Sequence, residues 1–168
     1  MTSAALLTDT FGRIRDVVHE AVEGLSVDDL MERLDAEANS IDWLVWHLTR
    51  VQDDHVAGVA GTPQVWTSAG WAKRCGLPFD ESEHGYGHTS AQVAAVNLDA
   101  ATLLGYHDAV YDATLTFVGA LTDGDLDRIV DTAWDPPVTM GVRLVSVIVD
   151  SLQHAGQAGY IRGILARR

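Results

Sequence analysis

Basic residues are scarce in this chain: 11 Lys and Arg stand against 24 Asp and Glu, a formal net charge of −13 at pH 7. Gripping a phosphate backbone takes clustered Lys and Arg, so nucleic acid is not an expected partner. Cysteine is scarcer still. The single Cys75 can form no intramolecular disulfide, and with Lys73 and Arg74 as its only basic neighbours it reads as an ordinary loop thiol rather than a nucleophile. Long hydrophobic runs are also missing. Val145 to Val149, interrupted by Ser146, is far short of the roughly 20 residues needed to cross a bilayer. The N-terminus lacks the basic stretch and apolar core of a signal peptide, so a cytoplasmic protein with no membrane partner is expected. The length suits a single domain over 1–168, able to bury roughly two-thirds of its unfolded surface.

What is present is helical periodicity. Leu7, Phe11, Ile14, Val18, Ala21 and Leu25 alternate steps of four and three, the stripe of one amphipathic helix that stops at Gly24. Ser26 with Asp29 resembles a capping arrangement and starts a brief turn over 28–34. A second long helix, capped by Asn39 or Ser40, buries Ile41, Leu44, Leu48 and Val51, with His47 projecting beside them. From 61 to 88 the periodicity gives way to Gly, Pro, Ser, Trp and charged residues. Trp66, Trp71, Phe79 and Tyr86 carry too much aromatic surface for disorder, so this segment reads as a flap over one end of the helices, either lining a pocket or plugging the core. Thr89 and Gln92 suggest a capping box opening one unbroken helix from Val93 to Leu121, the longest in the chain. Trp134-Asp135-Pro136-Pro137 interrupts the connection 122–140, in which 129–132 can form a short extended piece. A last helix spans about 141–166. The expected fold is all-α, a four-helix bundle with long inter-helix connections.

The last helix places Leu144, Val147, Ser151, His154, Ala158, Ile161 and Leu165 on one inward stripe, with Asp150 one turn before His154. Residues four apart share a helix face, so these two side chains can converge on a point. A carboxylate buried there without a partner is penalised by several kcal/mol, roughly, and a metal, a counter-ion or protonation relieves it. Asp and His four apart also form a routine surface pair; His47 on a second helix is what turns the pair into a possible ligand set. Two imidazoles and a carboxylate suit zinc foremost, with nickel or ferrous iron as alternatives, and leave positions open for water or substrate.

Two stretches carry a resemblance. Ser40-Ile41-Asp42-Trp43-Leu44-Val45-Trp46-His47-Leu48, and Asp150 to Gly163 with His154-Ala155-Gly156-Gln157 at its centre, resemble the DinB-like superfamily, which includes the mycothiol-dependent maleylpyruvate isomerases of actinobacteria. The resemblance runs through nearly the whole chain in helix order. It implies a four-helix bundle with a divalent metal held by a histidine of the second helix and two ligands four apart on the last, which by position are His47, Asp150 and His154. The isomerase branch has glutamate where this chain has Asp150, and many members have histidine; aspartate is one methylene shorter. The resemblance further implies mycothiol as co-substrate and pairing into homodimers.

The expected function is therefore that of a metal-dependent enzyme, a low-molecular-weight-thiol S-transferase or isomerase acting on a small electrophile, with the metal centre itself as the catalytic element. A non-catalytic metal- or small-ligand-binding stress-response module is the alternative, and a purely structural helical dimer the third. Around the ligands, Gln157 can orient one of them or sit as a core amide, and Trp43 and Trp46 can wall a pocket or pack the core. His107 falls on a buried stripe as a fourth ligand, a nearby base or a core residue. Arg50 and Arg143 can contact anions or stay surface charges. His55 is two turns past His47, too far to share its ion. His84 and His88 fall in a loop at a pocket mouth or in solvent, and His19 has no evident partner. Gly156, Gly159 and Gly163 inside the last helix imply close approach by a helix or a ligand.

Overall fold

The computed structural model describes residues 1–168 and is helical almost throughout. Four long helices, α1 (Ser3–Val22), α3 (Ile41–Ala60), α7 (Ala100–Val118) and α8 (Met140–Leu165), enclose one core, joined by the short helices α2 (Val27–Met31), α4 (Val65–Ser68), α5 (Trp71–Cys75) and α6 (Ser90–Val93). A 3-10 turn over Asp123–Asp127 leads into β1 (Ile129–Asp131), which pairs antiparallel with β2 (Val138–Thr139). No helix is long and apolar enough to cross a membrane.

Local chemistry sets the helix starts. Thr2, Ser26, Thr89, Asp99 and Thr139 each accept a backbone N–H of the first turn through the side chain, giving orphan donors a partner. The helix expected over 93–121 is in fact two. Val93 and Val96 are buried as the periodicity implied, but the chain leaves the helix after α6 and re-enters it at Asp99, which caps Thr102. The longest helix is consequently α8, with 26 residues. The flap, expected to lack packed helices, contains the two short ones α4 and α5, whose Trp66 and Trp71 are buried against Tyr106.

Side-chain pairs give the helix directions. Thr49 meets His107 and Gln52 meets Thr114, so α3 and α7 run parallel. Arg15 pairs with Asp108 and Gly12 faces Tyr111, so α1 and α7 are antiparallel. His47 faces His154 while Arg143 reaches His55, so α3 and α8 are antiparallel as well. Parallel neighbours force the chain to travel back the length of a helix. Residues 61–99 make that return, and their path packs the flap on α3 and α7.

Arg50 is what fastens the flap. Its side chain is wholly buried, donates to the backbone carbonyls of Glu81 and Glu83 and to Gln64, and lies over the Trp66 ring at 4.9 Å. The guanidinium is spent on the protein itself, so the anion-contact role entertained for Arg50 does not fit its surroundings. His107 is likewise a core residue on the α3–α7 seam, bonded to Thr49 Oγ1 at 3.0 Å, and it makes no contact with the other histidines. Burial pushes its pKa down to about 4. A group whose folded pKa lies below its unfolded value supports the fold at neutral pH and loses that support as pH falls from about 6.5 to 4. Asp42, raised by burial to about 6, acts in the opposite sense over the same range. His107→Leu should therefore gain on the parent by on the order of 3 kcal/mol between pH 7 and 4, read from urea midpoints. Parallel curves for the two proteins would show that His107 does not titrate as a buried neutral imidazole.

Gly156 and Gly159 have no atom within 4 Å of where a Cβ would stand, so tight packing inside the chain is not what retains them. His19, without an expected partner, bridges Glu23 and Asp108 at 2.9 and 2.8 Å.

Candidate metal centre

Antiparallel packing of α3 on α8 sets His47 opposite Asp150 and His154. One ligand-type atom from each of these residues lies within 4.8 Å of the others, close enough to share a single ion. The three arrive differently from the sequence expectation in one respect. The stripe of α8 that faces the core runs through Leu144, Val147, Ser151, Ala155 and Ala158, so His154 flanks it, half-buried, rather than standing within it. That displacement leaves the site at the edge of the core, reachable from outside.

Each histidine has one ring nitrogen already occupied. His47 is buried, and its Nδ1 donates to the backbone carbonyl of His84. Its ring stacks on Trp43 with centroids 4.8 Å apart and planes 14° from parallel. His154 Nδ1 bonds Gln157 Oε1 at 2.8 Å, and its Nε2 points to Asp150 Oδ1 at 3.5 Å. A carbonyl can only accept, so the His84 contact places the proton on Nδ1 of His47 and leaves Nε2 with its lone pair. Gln157 does the same for His154. Such outer partners fix the tautomer and ring orientation that a metal ligand needs.

The electrostatics favour the ligand forms of His47 and Asp150. Burial lowers the His47 pKa, keeping the imidazole neutral. Burial works against ionised Asp150, yet the hydrogen bond and charge of His154, with His47 and His55 adding to them, hold its pKa below the usual value. The Asp150 bond in turn raises His154 and favours its protonated form, so an ion bound here would take the place of the proton on that ring. Asp150 Oδ2 is nevertheless buried with no hydrogen-bond partner. A desolvated carboxylate oxygen with nothing to accept from is costly, and a cation held by Asp150 and the two histidines would offset that cost. The donor set of two nitrogens and a carboxylate oxygen fits a borderline divalent ion.

The surrounding wall comes from α3 and the flap. Trp43 touches both histidines, with its ring edge-on to His154 at 6.4 Å, whereas Trp46 packs behind it on Phe79 and His88. His88, which the loop composition placed at a mouth or in solvent, has a side chain only 2% exposed; it accepts from Trp43 Nε1 and bonds Glu83. His84 contributes its carbonyl instead of its ring. Gly85 was not singled out by sequence reasoning. At φ +95° its backbone lies so close that a Cβ would meet His47 Nδ1 at 2.8 Å. The Gly85-Tyr86-Gly87 run between two histidines was the available signal. Cys75 lies away from this cluster, and burial pushes its pKa to about 11, which leaves the thiol inert.

A family model described as mycothiol-S-transferase matches residues 6–166. The chain belongs to the mycothiol-S-transferase family. Membership agrees with the DinB-like resemblance carried by the two histidine-bearing helices. A crystal structure of a conserved protein from Enterococcus faecalis is also similar, with TM-score 0.92 and 27% identity, covering 100% of this chain and 99% of that one. No curated protein matches. The span matched by the mycothiol-S-transferase model includes α3 and α8, the two helices on which His47, Asp150 and His154 converge.

Proposed function

We propose that the protein is a divalent-metal-dependent S-transferase that uses mycothiol or a similar low-molecular-weight thiol, built as a four-helix bundle from α1, α3, α7 and α8. His47, Asp150 and His154 hold the ion, zinc foremost. The observation that carries this reading is the convergence of Asp150, whose Oδ2 is buried without a partner, with two imidazoles that each have one nitrogen already engaged. A metal bound there supplies Lewis acidity that favours the thiolate form of a bound thiol at neutral pH. The chain's own residues do the rest. The His84 carbonyl and Gln157 keep both lone pairs aimed at the site, Trp43 covers one side, and the half-exposed position of His154 leaves an approach for a small electrophile. The one cysteine, Cys75, has its pKa pushed to about 11 by burial, so the reactive thiol in this reading is one brought in as co-substrate.

The test is metal analysis of protein prepared without an affinity tag, followed by conjugation assays with mycothiol, glutathione and cysteine against one aryl halide. About one equivalent of ion, with turnover that depends on the thiol and stops on chelation, is the expected result. An ion retained without any thiol-dependent turnover would point instead to a metal-binding module. No ion under any loading condition would end the proposal.

A further inference from the structure

The α3–α8 seam continues past the metal centre. His55 comes eight residues after His47 on α3, and Arg143 seven before Asp150 on α8. At 1.5 Å of rise per residue this second level lies about 10–12 Å along the same pair of helices. A cavity of about 390 Å³ opens there, lined by His55, Arg128 and Arg143 together with Val59, Ile129 and Val130. No carboxylate lines it. In a chain with 11 basic residues and 24 acidic ones, two guanidiniums line this one cavity, beside an imidazole whose pKa burial and Arg143 lower.

The acidic groups nearby contact Arg143 and His55 without lining the cavity. Asp131 pairs with one nitrogen of Arg143 at 2.8 Å, and Asp54 lies 3.4 Å from His55 Nδ1. Arg143 also approaches His55 Nδ1 at 3.4 Å, while Arg128 donates only to the carbonyl of Val59, at 2.8 Å. Each guanidinium has five donors, so both keep N–H groups to spare.

We propose that Arg128, Arg143 and His55 form a subsite for a carboxylate or comparable anionic group on the acceptor electrophile. This rests on the thiol-transfer reading of the metal centre. The spacing selects an acceptor whose negative group is separated from its reactive carbon by several bonds. With the anion held in the cavity, the carbon reaches the thiolate. Sulfur bonds to that carbon, the leaving group departs with the electron pair of the broken bond, and the thiol proton passes to solvent. Fixing one end of the acceptor in this way turns collision into positioned attack.

The test pairs 4-chloro-3-nitrobenzoate with the uncharged 4-chloro-3-nitrobenzamide on metal-loaded protein. Calorimetry without thiol and kcat/KM with mycothiol should both favour the carboxylate by about tenfold, the size of a charge-assisted contact. Arg143→Gln should remove most of that preference, and so should Arg128→Gln, whose exposed side chain makes misfolding no explanation; metal content and Tm serve as controls. Equal binding of the two probes, no binding of either, or a preference that survives both substitutions would overturn the subsite. A calorimetric preference without turnover of either probe would refute the transferase reading while supporting the subsite.

Discussion

Replacing His154 by alanine is expected to strip the divalent ion and lower thiol-transfer activity on the order of a hundredfold, with little loss of stability. The side chain is 21% exposed and lies beside the buried stripe of α8, so its removal opens no core cavity. What it removes is the group that bonds Asp150 and shares its charge. The remaining His47 and Asp150 are two donors where a firmly held ion needs three. Gln157→Leu should give a graded version of the same loss, about tenfold in metal affinity, because His154 keeps its lone pair but loses the acceptor that fixes its tautomer. Equilibrium dialysis with zinc, set beside circular dichroism of each variant, separates ligand loss from unfolding. A His154→Ala protein that keeps a full equivalent of tightly bound ion would remove histidine 154 from the ligand set, and unchanged turnover would remove the metal from the reaction.

Much of the helix layout was legible because burial imposes a period. The stripes of α1 and α3, and the ends of α8 to within a residue, follow from apolar spacing and capping side chains. The same logic misled at α6 and α7, where Val93, Val96 and Leu103 keep the spacing of one helix although the chain between them is not helical. Burial was the cause of the rhythm, and helix only one way to satisfy it. Asp99 followed by Thr102 was the local signal of a fresh start. Periodicity was ambiguous again on α8, since His154 and Ala155 are one step apart and both extend the run from Ser151; the smaller side chain took the core. The candidate metal cluster was legible as an Asp and a His four apart on one helix and His47 on another, with the family resemblance placing all three. Which atoms of His47 and His154 are free depends on the carbonyl of His84 and the amide of Gln157, and the first comes from a flap whose path no spacing rule specifies. Arg128 was invisible for a similar reason, because the turn beyond Asp127 decides which cavity it lines.

That dependence on the flap makes Gly85 the most sensitive position outside the ligands. Its φ of +95° is a conformation that side chains disfavour, and a Cβ there would lie 2.8 Å from His47 Nδ1, 3.1 Å from Trp46 and 3.2 Å from Trp43. None of the three can yield easily, since both tryptophans are buried and the imidazole is stacked on one of them. Gly85→Ala must therefore push the flap outward. The His84 carbonyl, one residue away, then leaves His47, whose Nδ1 loses the acceptor that holds the ring. The expected outcome is a stability loss of roughly 2 kcal/mol or more together with a 10–100-fold fall in metal affinity. Gly87 provides the matched control, because its φ of +76° is strained for alanine in the same way but no atom lies within 4 Å of the added carbon. Gly87→Ala should pay the backbone cost of about 1 kcal/mol alone and hold its ion as the parent does. If the two variants weaken zinc binding equally in dialysis, the flap does not act on the site through His47, and the close approach at Gly85 serves packing only.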